Sequence, residues 1–273
     1  MSLPIIRPDG RAHDQIRPFK VFFDALGYAD ASVLFELGNT KVLVSISLQA
    51  NVPPFLKGQR VGWLSAEYAM LPCATQQRTM RESSQAQRNT RSVEISRLIG
   101  RCLRTCVSLE VLGERTILVD CDVLQADGST RVSAITAASL ALEQAINRWH
   151  HNKIIEKNIF KYAIAAVSVG MINETAYLDL NYEEDSNADV DFNIIMTKSG
   201  DIIEIQGTAE KMPISWGQFE QLKQLATKGI AGLFACMPQL VQPVELFPSH
   251  HAKESVLQKS PLFSLGNRLQ KTT

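Results

Sequence analysis

Apolar and polar positions change their period several times along this chain. Residues 31–48, ASVLFELGNTKVLVSISL, hold two alternating runs about Gly38-Asn39, the pattern of a β-hairpin. After a loop with Pro53-Pro54 and Gly58, GWLSAEYAMLP (62–72) predicts another strand, closed by Pro72. Residues 73–91 are polar and predict a loop. From 92 to 110 the spacing becomes helical, with Ile95, Leu98, Ile99, Cys102, Leu103, Cys106 and Val107 recurring at three and four. TILVDCDVL (116–124) alternates again, placing Ile117, Val119, Cys121 and Val123 on one face. RVSAITAASLALEQAINRW (131–149) returns to helical spacing at Ile135, Leu142, Ile146 and Trp149, with alanines between. AIAAVSVG and TAYLDL pair about Asn173-Glu174, and DFNIIMT and DIIEIQGT about Ser199-Gly200. WGQFEQLKQLATKGIAGLF (216–234) is an amphipathic helix. Beyond Cys236 the pattern weakens among Pro238, Pro243, Pro248 and Pro261. The expected organisation is one domain over 1–236 and a tail over 237–273 with at most short helical pieces. The element order predicts an α+β fold, mixed sheets packed with helices and largely antiparallel pairing.

One junction raises a chemical question. VLQADGSTR (123–131) ends a strand and opens a helix, so its Asp-Gly is not the centre of a hairpin. A helix N-terminus offers unpaired N–H groups and the positive end of the dipole, small residues let an anion approach, and Arg131 adds a forked cation. Two readings stand side by side: an oxyanion site, with phosphate the natural occupant, or a helix merely capped by Ser129 or Thr130.

Composition sharpens this only locally. Twenty-eight basic side chains balance twenty-eight acidic ones, so no global charge points to nucleic acid. Yet seven arginines fall between Gln76 and Arg104, opposed by Glu82 and Glu94 alone. Arg78, Arg81 and Arg88 lie in the polar loop and suit contacts to a phosphate backbone, the alternative being a solvated loop. Arg97, Arg101 and Arg104 share the helix face opposite the core stripe and read as a solvated face or an oligomer contact. Arg91 stands at the start of that helix, where an anion is also welcome. LDLNYEEDSNADVD (178–191) gathers carboxylates that could hold a hard divalent cation such as Mg²⁺, or form an acidic surface loop. The spacing and mid-loop glycine of an EF-hand are missing. The five cysteines form no CxxC pair; Cys102 and Cys106 read as core packing. The five histidines join no Ser-His-Asp or Cys-His set. The N-terminus lacks an apolar signal region and no run reaches membrane-spanning length, so a cytoplasmic protein with no membrane association is expected.

Several stretches in order resemble the ribonuclease PH family of bacterial phosphorolytic 3′-exoribonucleases. They are RPDGR (7–11), GNTKVLVS (38–45), FLKGQ with GWLSAEYAMLP (55–72), VEISRLIGRCLR (93–104), LGERTILVDCDVLQADGSTR (112–131), AVSVG (166–170), LDLNYEEDSNADVDFNIIMT (178–197) and EIQGTAE (204–210). The likeness spans residues 7–235. It implies the ribonuclease PH-type fold, similar to the second domain of ribosomal protein S5. It implies a phosphate-dependent enzyme that trims the 3′ ends of tRNA precursors and releases nucleoside 5′-diphosphates. A non-catalytic RNA-binding subunit of an exosome-like ring is the alternative. The resemblance assigns inorganic phosphate, as co-substrate, to Arg91, Ser129, Thr130 and Arg131. It assigns the catalytic and Mg²⁺-holding carboxylates to Asp179 and Asp185, and tRNA to Arg78, Arg81 and Arg88. It also implies a hexamer built as a trimer of dimers. The chain departs from the family pattern in three places. Ser129 replaces the second glycine of Gly-Gly-Thr-Arg, a change that is harmless if the backbone there needs no positive φ. Asn89-Thr90 replace the glycines of Gly-Gly-Arg. The tail is longer than usual.

Overall fold

The computed structural model describes residues 7, 9–84 and 89–243. Among these described residues, ten strands form two sheets. The larger is built from β1 (Phe19–Phe23), β2 (Ala31–Leu37), β3 (Thr40–Gln49), β4 (Trp63–Met70), β5 (Thr116–Gln125) and β10 (Val241–Pro243), in the order β10-β1-β2-β3-β5-β4. Its central pairs are antiparallel, with Val33 opposite Val44 and Val44 opposite Cys121, while both outer pairs, β10 with β1 and β4 with β5, run parallel. The smaller sheet, β7-β6-β8-β9, is antiparallel throughout and comprises β6 (Ile164–Ile172), β7 (Thr175–Leu178), β8 (Val190–Thr197) and β9 (Ile202–Ala209).

Among the described residues five α-helices join the sheets: α1 (Thr90–Thr105), α2 (Leu109–Leu112), α3 (Thr130–His151), α4 (Tyr182–Asn187) and α5 (Trp216–Leu240). The three predicted hairpins and the three long helices form where the periodicity placed them. The helix expected over 92–110 stops at Thr105, because Cys106 N–H turns to the Leu103 carbonyl and Val107 bridges to Phe160. Strand β1 is absent from the periodicity: Pro18 and a short run with a lone exposed Lys20 leave little alternation to read. The chain between 236 and 243 also belongs to the fold. Leu222, Ala226, Ile230, Leu233 and Met237 carry one buried stripe of α5 past the expected boundary, and Val241–Pro243 then pair with β1. Residues 244–273, the rest of the expected tail, lie outside the described residues.

Helix α3 explains its own alanines. It packs on β2 and β3 of the larger sheet and on β6 of the smaller, so its flanks are closed on two sides. Ala134, Ala137, Ala138, Ala141 and Ala145 are all fully buried, and only small side chains let both sheets approach. β7 reaches β6 only from Val169 to Ile172, which leaves the first half of β6 short of partners. α3 supplies them: the N–H groups of Ile164 and Ala166 donate to Ser139 Oγ and Thr136 Oγ1, each at 3.0 Å. The two sheets thus grip one helix, and its N-terminus opens between them.

Cys102, Cys106 and Cys121 are buried in this core. Burial pushes the Cys106 thiol up to about 12 and the other two higher still. No group of three or more metal-binding side chains occurs among the described residues. No described helix is long and apolar enough to cross a membrane.

Candidate active site

The α3 N-terminus faces a cleft of about 820 Å³. The turn before it is sharply bent. Gly128 (φ +70°) passes so close to the backbone of residues 180–182 that a Cβ there would stand 2.5 Å from the Asn181 carbonyl carbon. Only glycine fits. Ser129 follows in the left-handed region as well (φ 56°, ψ 22°), so the condition under which its replacement of glycine would be harmless is not met. Its hydroxyl makes no capping bond to the helix. It turns backward instead, within 2.8 Å of Ser168 Oγ, 3.0 Å of Asp179 Oδ1 and 2.9 Å of the Leu180 carbonyl. Thr130 does not cap either; its Oγ1 accepts from the buried Tyr68 hydroxyl at 3.0 Å. The first N–H groups of α3 are therefore not satisfied by either hydroxyl. Thr40 braces the turn from β3, its Oγ1 accepting from Asp127 N–H and donating to the Gly128 carbonyl.

Two arginines line the same cleft. Arg131, in the first turn of α3, reaches toward Gln206 Oε1 at 3.2 Å and Glu94 Oε1 at 3.5 Å, so it is drawn across to β9 and α1. Arg91 lies in the first turn of α1, which Asn89 caps by accepting from Arg91 N–H at 3.0 Å. Asparagine in place of the family glycine thus gives that helix a defined start. Arg91, Ser129, Thr130 and Arg131, expected together, are brought together.

The carboxylates divide differently from expectation. Asp185, on α4, lines the cleft. Burial raises its proton affinity and Glu210 adds to it, while Arg91 and Arg131 pull it back. Asp179 does not reach the cleft. It is buried behind the turn in a left-handed conformation (φ 55°), and its carboxylate is fully engaged. Arg17 donates from Nε (2.9 Å), Nη2 (2.6 Å) and its backbone N–H (2.8 Å), Arg11 from Nη1 (3.2 Å), and Ser129 closes on Oδ1. Burial works against its charge, yet the Arg17 bonds and charge hold it below the usual carboxylate range. A carboxylate so saturated has no lone pair to give a cation or a proton relay. Asp179, expected in catalysis or metal binding, is thus placed behind the turn with Arg17 and Arg11 and not in the cleft lining.

Asp191 lines the cleft too, together with Glu94 and Glu210, and sequence reasoning does not single it out as a site residue. It sits on β8 opposite Gly170, lines the cleft beside Asn193, and is raised by burial and by Asp185 and Glu210. Asp185 stands six residues from each of Asp179 and Asp191, so spacing alone could not choose between them. What could have chosen is strand parity: Asp191 and Asn193 alternate with Phe192, which packs against Phe219 of α5 on the other face with the rings tilted. A cation at Asp185 and Asp191 would have two protein carboxylates, the number Mg²⁺ commonly takes before completing its shell with water and phosphate oxygens.

Arg78 and Arg81 are exposed in the loop between β4 and α1, away from the cleft lining. Arg88 lies outside the described residues. Two arginines of the α1 outer face are committed within the fold: Arg101 pairs with Glu204 at 2.6 Å, and Arg104 lies 4.8 Å over the Trp63 ring.

Comparison with known proteins agrees with this geometry. The family model described as "3' exoribonuclease family, domain 1" matches residues 15–146, and "3' exoribonuclease family, domain 2" matches 162–229. A ribonuclease PH of Tropheryma whipplei is 49% identical over 229 residues, covering 84% of this chain and 93% of that protein. One from Neisseria meningitidis serogroup B is 51% identical over 223 residues, covering 82% and 92%. Among solved structures, rice Rrp46 superposes with a TM-score of 0.70 at 19% identity, over 86% of this chain and all of that one. The Archaeoglobus fulgidus exosome with RNA bound to the active site gives 0.71 at 20%, over 84% and 92%.

Proposed function

This chain belongs to the ribonuclease PH family of 3′ exoribonucleases, and from that premise we propose how its cleft works. The protein is a phosphorolytic 3′-to-5′ exoribonuclease and tRNA nucleotidyltransferase. Inorganic phosphate is its co-substrate, attacking the last phosphodiester of an RNA and releasing a nucleoside 5′-diphosphate.

Two anions must meet in this reaction, so the site's first task is to offset their repulsion. Arg131, Arg91 and the N–H groups at the start of α3 seat the attacking phosphate. Asp185 and Asp191 face that seat from the smaller sheet and its α4 flank. They would hold Mg²⁺, which supplies charge neutralisation at the scissile phosphate and the leaving 3′ oxygen. The observation that carries the reading is the convergence of these cations and carboxylates, from three helices and a strand of the smaller sheet, on one cleft. That same convergence argues against a non-catalytic ring subunit, as does the near 50% identity to ribonuclease PH relatives.

The finer proposals are that tRNA precursors are the substrate, that Arg78, Arg81 and Arg88 grip the RNA beyond the cleft, and that the active particle is a hexameric trimer of dimers. We place the enzyme in the cytoplasm and treat 1–236, extended by β10, as the catalytic unit. Incubation of a 3′-extended tRNA with and without phosphate tests the core of this. Nucleoside diphosphate should appear only with phosphate; a monophosphate released without it would mean hydrolysis and overturn the mechanism.

A further inference from the structure

We propose that the Ser129 hydroxyl is a latch that forms the phosphate turn before phosphate arrives, making Ser129 a positioning residue rather than a mere substitute for glycine. The inference rests on the reading of this turn as the phosphate seat. A left-handed serine is unfavourable, and it persists only where its surroundings hold it. Here they do. Leu180 N–H donates to Ser168 Oγ at 3.0 Å, and Ser168 Oγ lies 2.8 Å from Ser129 Oγ. With Ser168 donating onward, the Ser129 proton is left for Asp179 Oδ1 or the Leu180 carbonyl. The anchor is firm, because Asp179 is itself left-handed and clasped by Arg17 and Arg11. Two strained residues, fifty positions apart, thus fix one another across the junction of the sheets.

A glycine at this position would adopt the same φ without strain but would have no side chain to tie down. The turn would then sample other conformations, and phosphate would bear the ordering cost on binding. Serine moves that cost into folding. Asp179 gains a role here in place of the one it loses in the cleft: it holds the latch.

The test uses the full chain, with steady-state phosphorolysis of a short RNA across a phosphate titration. Loss of one such hydrogen bond predicts that S129A raises the phosphate KM roughly 3- to 10-fold, with kcat at saturating phosphate little changed. S129G should raise it at least as much, despite relieving the strain. S168A should move it in the same direction, and the S129A/S168A double variant should add little to S129A, since the two hydroxyls act as one chain. An unchanged phosphate KM in S129A and S168A would overturn the latch, as would an improved KM in S129G, or a loss confined to kcat. R131A separates this from failure of the underlying reading. If R131A shifts the phosphate KM and S129A does not, only the latch is wrong. If neither moves it, the turn is not the phosphate seat.

Discussion

Asp185 and Arg131 carry opposite charges into one cleft, and their substitutions should fail in different ways. Neutralising Asp185 to Asn keeps its size and removes a charge that burial already disfavours. The fold should therefore be retained, while turnover falls by about 10²- to 10⁴-fold. Circular dichroism beside a single-nucleotide release assay checks both halves. Arg131→Ala should instead raise the phosphate requirement by about 10- to 100-fold, the worth of a charge-assisted contact of roughly 1.5–3 kcal/mol. Asp179 behaves as neither. Its neutralisation takes from buried Arg17 its close anionic partner and leaves Arg11 with Asp9 and a longer Glu184 contact, so D179N should destabilise the protein by about 3–5 kcal/mol at neutral pH. Because its carboxyl is held below the usual range, that stability is present above about pH 4 and is lost as pH falls through its folded value. Urea titrations should show the D179N deficit shrinking in acid; a deficit constant with pH would contradict the ion-pair account. These residues also mark how far the sequence can be read. The Arg131 turn is legible because its chemistry is local. Which of Asp179 and Asp191 lines the cleft is not, since Asp179 is held behind the turn by arginines more than 160 positions upstream of it.

At the scale of elements, periodicity finds the long helices and hairpins because each has a whole face to bury. It fails where the partner is distant: β1 is a strand because β2 and β10 flank it. It also fails where a cap decides, as in α4. There Asn181 and Glu184 close a capping box over what reads as an acidic loop. The loop between β4 and α1 carries its own prediction. Arg78 and Arg81 are exposed and make no part of the core, so changing them with Arg88 to Ala should leave folding intact. If they neutralise RNA phosphates, the slope of log affinity for tRNA against log salt should fall by roughly 0.7–0.9 for each phosphate no longer neutralised. Phosphorolysis of a very short RNA should hardly change. An unchanged salt slope would return the loop to plain surface, and equal impairment on both substrates would place it inside the catalytic pocket.

Over the whole molecule, α3 is the wall both sheets share, and the turn proposed to seat phosphate is its end. A change of volume deep in that wall should reach the turn. Ala138 is fully buried, eight residues or about 12 Å along the helix from Thr130. Ala138→Leu should cost about 1–3 kcal/mol by overpacking, and should weaken phosphate use although it touches no substrate. Thermal melting and a phosphate titration on the same preparation check the pair; a stability loss with unaltered phosphate response would show the turn to be insulated from the wall.

The cysteines, unremarkable as packing, give the chain a built-in spectroscopic address. Cys102, Cys106 and Cys121 are sealed in the core with thiols that resist ionisation, whereas Cys73 and Cys236 are exposed. A maleimide dye under native conditions should therefore mark two positions and spare three. Cys73 stands five residues before Arg78, at the head of the arginine loop. With Cys236 replaced by Ser, a fluorophore there would watch RNA arrive at that loop without any cysteine being added.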